Sequence, residues 1–148
     1  MRNLLLASLA GLALAAWTGS AGAGFLSATR PVIAMLGPNL FVGDAEGNLD
    51  GAGTLAIHAQ AAPSITCTGE FTSSAEAGGV GKLKCSDGAT STFKFQRLTI
   101  FSGQGRGAFG RGTMSFTYGL TLEESKPYLV VPAGKRLELR GNVVALVD

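Results

Sequence analysis

Cys67 and Cys85 carry the most definite chemistry in this sequence of 148 residues, which holds no other cysteine. In an oxidising compartment a lone pair at hairpin spacing reads first as a disulfide. Ile65, Cys67 and Phe71 share one face of an expected strand, and Leu83 and Cys85 share one face of the next. Both sulfurs then point with apolar neighbours toward a core, where closing the loop stabilises the fold by about 3 kcal/mol in the chain-entropy model. A redox pair would sit two residues apart at a helix start. A structural zinc site wants four ligands, and only His58 is on hand to assist two thiols.

The remaining candidates are weaker. His58, the single histidine, shares strand parity with Thr54 and Ala56, which places it on an outer face away from any oriented partner. Gly105-Arg-Gly-Ala-Phe-Gly110 spells a dinucleotide pattern, but an alternating strand follows where a phosphate-binding helix should open. Asp44, Glu46 and Asp50 make an oxygen-rich turn with a loose likeness to calcium loops, yet Leu55 stands where the closing glutamate belongs. No Gly-x-Ser-x-Gly elbow is present. The expectation is therefore a non-enzymatic protein with no cofactor and no metal.

Aromatic and basic residues concentrate in the second half of the chain. Phe93, Lys94, Phe95, Arg97, Phe101, Arg106 and Arg111 are of the types that anchor interfaces, and they define a possible interaction surface. The leading reading is a binding or interaction module for an envelope protein, in its sharper form an inhibitor that inserts a loop running from Ser102 to Gly112. A first alternative is a carrier of a small apolar ligand or lipid, which needs a cavity behind Leu55, Ile57, Phe116 and Tyr118. A second is a small hydrolase using the carboxylates of Asp44 and Asp50, which then must line one pocket.

The compartment follows from the first residues. Arg2 precedes an apolar run from Leu4 to Trp17, and small residues ending in Ala21-Gly-Ala23 come next. These are the parts of a secretory signal peptide, with the cut expected after Ala23 and one domain over residues 24–148. An uncleaved anchor wants about 20 strongly apolar residues, and the dense stretch is shorter. The expected location is periplasmic or secreted, without an integral membrane segment after cleavage. A formal charge of +2 for the whole chain gives no whole-protein steering toward nucleic acid.

The positioning elements read as short strands. Candidates are Val32–Leu36, Leu40–Gly43, Gly53–Ala59, Ser64–Phe71, Val80–Cys85, Thr92–Phe101, Gly112–Tyr118, Arg136–Arg140 and Val143–Val147, after a loose leader over 24–30. Met114, Phe116 and Tyr118 alternate with Thr113, Ser115 and Thr117, one face buried and one wet. In Thr92–Phe101 the apolar phase changes from Phe93 and Phe95 to Leu98 and Ile100, which predicts a β-bulge near Arg97. Gly-x-Gly units at Gly51, Gly79, Gly105 and Gly110 mark hairpin entries. Thr121-Leu-Glu-Glu124 has the capping-box spacing, so one short helix is expected there, stopped by Pro127, with Leu122 and Tyr128 covering an open end of the sheet. The fold class is all-β: a small antiparallel barrel or sandwich, a meander of about eight strands.

Three stretches, Gly43-Asp-Ala-Glu-Gly-Asn-Leu-Asp-Gly51, Cys67-Thr-Gly-Glu with Lys84-Cys-Ser-Asp-Gly88, and Met114-Ser-Phe-Thr-Tyr-Gly-Leu120, resemble those of a family of small exported proteobacterial β-proteins with no known activity. The resemblance implies an exported, single-domain protein and transfers no functional residue.

Overall fold

Successive segments of period-two alternation pair antiparallel with their neighbours until the chain meets its own first strand. The structure is a computed structural model, and it describes residues 27–74 and 77–148. Eight strands form a closed meander barrel: β1 (Ser27–Leu36), β2 (Asn39–Asn48), β3 (Ala52–Ala59), β4 (Thr66–Ser73), β5 (Gly78–Cys85), β6 (Thr90–Thr99), β7 (Ser102–Phe109) and β8 (Gly112–Tyr118). β8 returns to β1, where Phe116 opposes Ala34, and no barrel edge is left unpaired. After the barrel come α1 (Leu122–Ser125), a 3₁₀ turn (Lys126–Tyr128) and a separate hairpin of β9 (Arg136–Arg140) and β10 (Val143–Val147). The expected signal segment over 1–23 lies outside the described residues. Among those described, no helix is long and apolar enough to cross a membrane.

Alternation places two hydrophobic clusters on opposite sides of the same wall. Inward residues Leu36, Phe41, Ile57, Cys67, Leu83, Phe93 and Phe116 belong to the barrel interior. Outward residues of β1 and β2, Ile33, Met35 and Leu40, pack instead against Leu122, Leu129 and Leu137 from the C-terminal segment. β1 thus buries both faces, which explains its near-continuous apolar run from Val32 to Leu36.

The C-terminal strap corrects two expectations. Leu122 does not cover an end of the barrel; it is buried against the outer wall, with Leu129 rather than Tyr128 as its partner in the cluster. Nor do Ser115 and Thr117 face water. Both are buried on the outer side of β8, where the Ser115 hydroxyl accepts from the Val130 amide at 2.9 Å and the Thr117 and Ser125 hydroxyls bond at 2.7 Å. Their polarity satisfies the strap laid across them. The capping box forms as its spacing predicts: the Glu124 amide donates to Thr121 Oγ1, and Glu124 Oε2 accepts from the Thr121 amide at 2.8 Å. The Thr121 amide and, at 3.0 Å, the Thr121 hydroxyl both donate to Glu124 Oε2 and hold its carboxyl below its ordinary pKa.

Three further segments differ from their sequence assignments. The leader expected over 24–30 is already strand from Ser27, paired with Asn48. The acidic stretch from Asp44 is not a loop, because β2 continues to Asn48 before turning at 49–51. The expected loop from Ser102 to Gly112 is mostly β7, hydrogen-bonded on both sides.

Candidate functional site

The disulfide sits at one end of the barrel. Cys67 and Cys85 are direct cross-strand partners on β4 and β5, bonded to each other and buried inside. Ile57, Ala59, Leu36 and Phe41 pack into the same cluster. This end is filled.

The other end is not. Between the mouth and the packed half lies a cavity of about 470 Å³, lined by Leu55, Phe71, Phe95, Met114, Phe116 and Tyr118 among others. A volume in this range suits one small ligand. An eight-stranded barrel is wide enough either to be filled by side chains or to hold one such molecule. The choice is made here by glycine. On β7 the inward positions are Gly103, Gly105 and Gly107, and on β5 they include Gly79 and Gly81, so these strands present bare backbone to the interior.

Aromatic rings of neighbouring strands lie over that backbone. A methyl built on Gly53 would meet the Phe71 ring at 2.1 Å, one on Gly81 the Phe93 ring at 2.3 Å, and one on Gly105 the Phe116 ring at 2.4 Å. Tyr118 covers Gly103 in the same way. With the rings pressed against the wall, the middle of the mouth stays open. The rings also meet edge to face, Phe71 with Phe95 at 5.6 Å, Phe95 with Tyr118 at 5.9 Å and Phe93 with Phe116 at 5.1 Å. Each such pair adds roughly 0.5–1.5 kcal/mol beyond area burial, and together they make one continuous aromatic lining.

Arg97 is the polar feature of this lining. The β6 alternation runs Phe93, Phe95, Arg97 without a break, and the bulge falls after it, between Arg97 and Thr99. The expected handover of the inward face to Leu98 and Ile100 does not occur: these residues are 45% and 73% exposed. Ile100 forms an apolar rim with Phe101 and Leu49 instead. Arg97 Nη2 donates to Ser73 Oγ at 2.8 Å, and Nη1 donates to the Ile100 carbonyl at 3.2 Å. Ser73 Oγ in turn donates to the Gly51 carbonyl at 3.1 Å, which leaves its lone pairs for the guanidinium. Gly51 takes φ 88° in that turn, a left-handed value that favours glycine. Arg97 Nε is buried and has no hydrogen-bond partner among the described residues. Burial holds the Tyr118 phenol above its ordinary pKa, and the Arg97 charge opposes the shift. Arg30 also reaches the cavity, its guanidinium stacked 4.4 Å from the centre of the Phe101 ring.

The residues of the expected interaction surface are distributed over three places. Phe93 and Phe95 are buried in the interior, Arg97 and Phe101 stand at the mouth, and Lys94, Arg106 and Arg111 are exposed elsewhere. Lys94 and Arg106 are cross-strand partners on the outer wall, and Arg111 is in the turn before β8. They do not form one surface. Asp44 is exposed on the outer face of β2, and Asp50 is exposed in the following turn, accepting from the Ala52 amide at 2.9 Å. The two carboxylates share no pocket, which overturns the geometry the hydrolase reading required. His58 lies on the outer side of β3, as its parity predicts. Among the described residues no three His, Cys, Asp or Glu side chains gather as a metal site.

Sequence reasoning named Leu55, Phe116 and Tyr118 as the cavity wall, and it missed Arg30, Ser73 and Met114. Ile57, expected beside them, is buried but does not line the cavity. The signal for Arg97 was its parity with Phe93 and Phe95. No family model, no curated protein and no solved structure matches this chain. The resemblance to small exported proteobacterial proteins thus stands on its sequence motifs alone.

Proposed function

We propose that the protein is an exported binding module without catalytic activity, which takes a small, largely apolar ligand into the mouth of its barrel. The observation that carries this reading is the cavity of about 470 Å³ at one end of the barrel, walled largely by aromatic and aliphatic side chains. The apolar rim of Leu49, Ile100 and Phe101 supports it, because exposed apolar groups around an opening mark a place where an apolar molecule is received. The disulfide fits a periplasmic or secreted location.

The test is titration with a neutral fluorophore, N-phenyl-1-naphthylamine, whose emission rises in apolar surroundings. One site per chain is expected. Ala45→Phe, which fills the cavity from β2, should abolish the signal while the thermal transition is retained. No binding by the wild-type chain, or binding indifferent to Ala45→Phe, would remove the proposal.

A further inference from the structure

Resting on that reading, we infer that the ligand is an amphipathic carboxylate, its apolar body in the aromatic cavity and its charged head on Arg97. The cavity wall includes the guanidinium groups of Arg30 and Arg97 and, among the described residues, no aspartate or glutamate. A half-buried cation in an apolar chamber is costly unless an anion or a full set of acceptors meets it. The acceptors present are too few. Ser73 Oγ and the Ile100 carbonyl each take one N–H of Arg97, and the buried Nε–H has no acceptor among the described residues.

The same two bonds tie the guanidinium to Ser73 at the end of β4 and to the Ile100 carbonyl in the turn after β6. A guanidinium held this way offers its remaining N–H groups as a fork, the geometry that a planar carboxylate matches with two parallel hydrogen bonds. Arg30, the other guanidinium on the wall, lies over the Phe101 ring and donates to the Thr29 carbonyl at 2.8 Å; the buried, unpartnered Nε belongs to Arg97. Phe95 and Tyr118 lie directly inward of the head, so the rest of the ligand must be apolar.

Displacement of the neutral fluorophore tests the inference. Dodecanoate and dodecan-1-ol share a chain and differ in the head. Wild-type protein should release the fluorophore to dodecanoate at a concentration roughly tenfold or more below that needed for dodecanol, as a charge-assisted pair implies. Arg97→Met should bring the two together, and Arg97→Lys should keep part of the preference. Circular dichroism of both variants reports folding, and the wild-type comparison needs no variant. Equal displacement by acid and alcohol would overturn the inference and leave the binding reading intact. An acid preference that survives Arg97→Met would overturn the assignment to Arg97. Absence of fluorophore binding would remove the underlying reading itself.

Discussion

Leu55 and Ile57 stand two residues apart on the inward face of β3, both almost fully buried, and they belong to different environments. Ile57 is clustered with Cys67, Cys85, Leu36 and Phe41, none of which lines the cavity. Leu55 faces the cavity. The same strands build both ends, so the difference comes from what stands opposite. At the disulfide end Ile57, Cys67, Cys85, Leu36 and Phe41 share one buried cluster, while toward the mouth rings lie over glycines beside the cavity. Low solvent exposure therefore has two meanings in this barrel, close packing at one end and shelter without packing at the other. Stability should reside mainly in the first and ligand binding in the second.

The sharpest way to break this contrast is to truncate both residues. Ile57→Ala should lower stability by about 2–5 kcal/mol, since a void in a rigid packed region is added to the lost transfer energy. Leu55→Ala should cost about 2 kcal/mol or less, because some of its atoms already lack packing partners, and it should alter fluorophore affinity instead. Urea unfolding of the two variants decides the matter. Equal losses would mean that the cavity end is packed as tightly as the other.

Next in size is the crosslink. Replacing both cysteines with serine should remove about 3 kcal/mol by the loop-entropy estimate, measured by the same unfolding experiment. Fluorophore binding under native conditions should be unchanged, because neither cysteine lines the cavity. A loss of binding in a chain that remains folded would show that the two ends are coupled.

Gly53→Ala addresses the mouth. The added methyl would meet the Phe71 ring at 2.1 Å, which lies beside the cavity, and the Glu46 carbonyl at 2.4 Å, which belongs to paired backbone and cannot swing aside. Overpacking commonly costs about 1–3 kcal/mol; because the backbone of β2 must shift as well as the ring, the loss should fall toward the upper end, with reduced fluorophore affinity as the ring moves into the binding space. An unchanged affinity would argue against the ring as a wall of the site.

The smallest effect concerns neither end. Glu124 is fully exposed in the capping box of the strap, with its pKa held down by the Thr121 amide and hydroxyl. A depressed folded-state pKa contributes stability above the unfolded value, and this is lost as pH falls through the folded one. The stability difference between wild type and Glu124→Gln should therefore narrow on acidification below the ordinary carboxylate range. A gap independent of pH would show that the carboxylate charge plays no part in the cap.

Much of the barrel was legible because inward apolar residues repeat at every second position in β3, β4 and β8. The strand most easily missed, β7, obeys the same rule with glycine in the inward slots, and glycine carries no hydrophobic signal. Its period survives in Gly103, Gly105 and Gly107, and reading small residues as part of the pattern would have recovered it. The opposite error occurred at Leu98 and Ile100, where apolar residues next to a bulge looked like core and proved to be exposed. Arg97 continued the inward phase, but a charged residue in that register reads as a break when only hydrophobicity is counted.

By itself the sequence determined the alternation, the capping box, the positive-φ turns and the pairing of the two cysteines, since each depends on residues close in the chain or on a choice without rivals. Tertiary structure alone decided that the meander closes on β1, that the strap covers the outer wall rather than an end, and that rings settle over glycines to leave one half of the interior empty. Those outcomes depend on which side chains face each other across strands distant in sequence, and that opposition exists only once the barrel has closed.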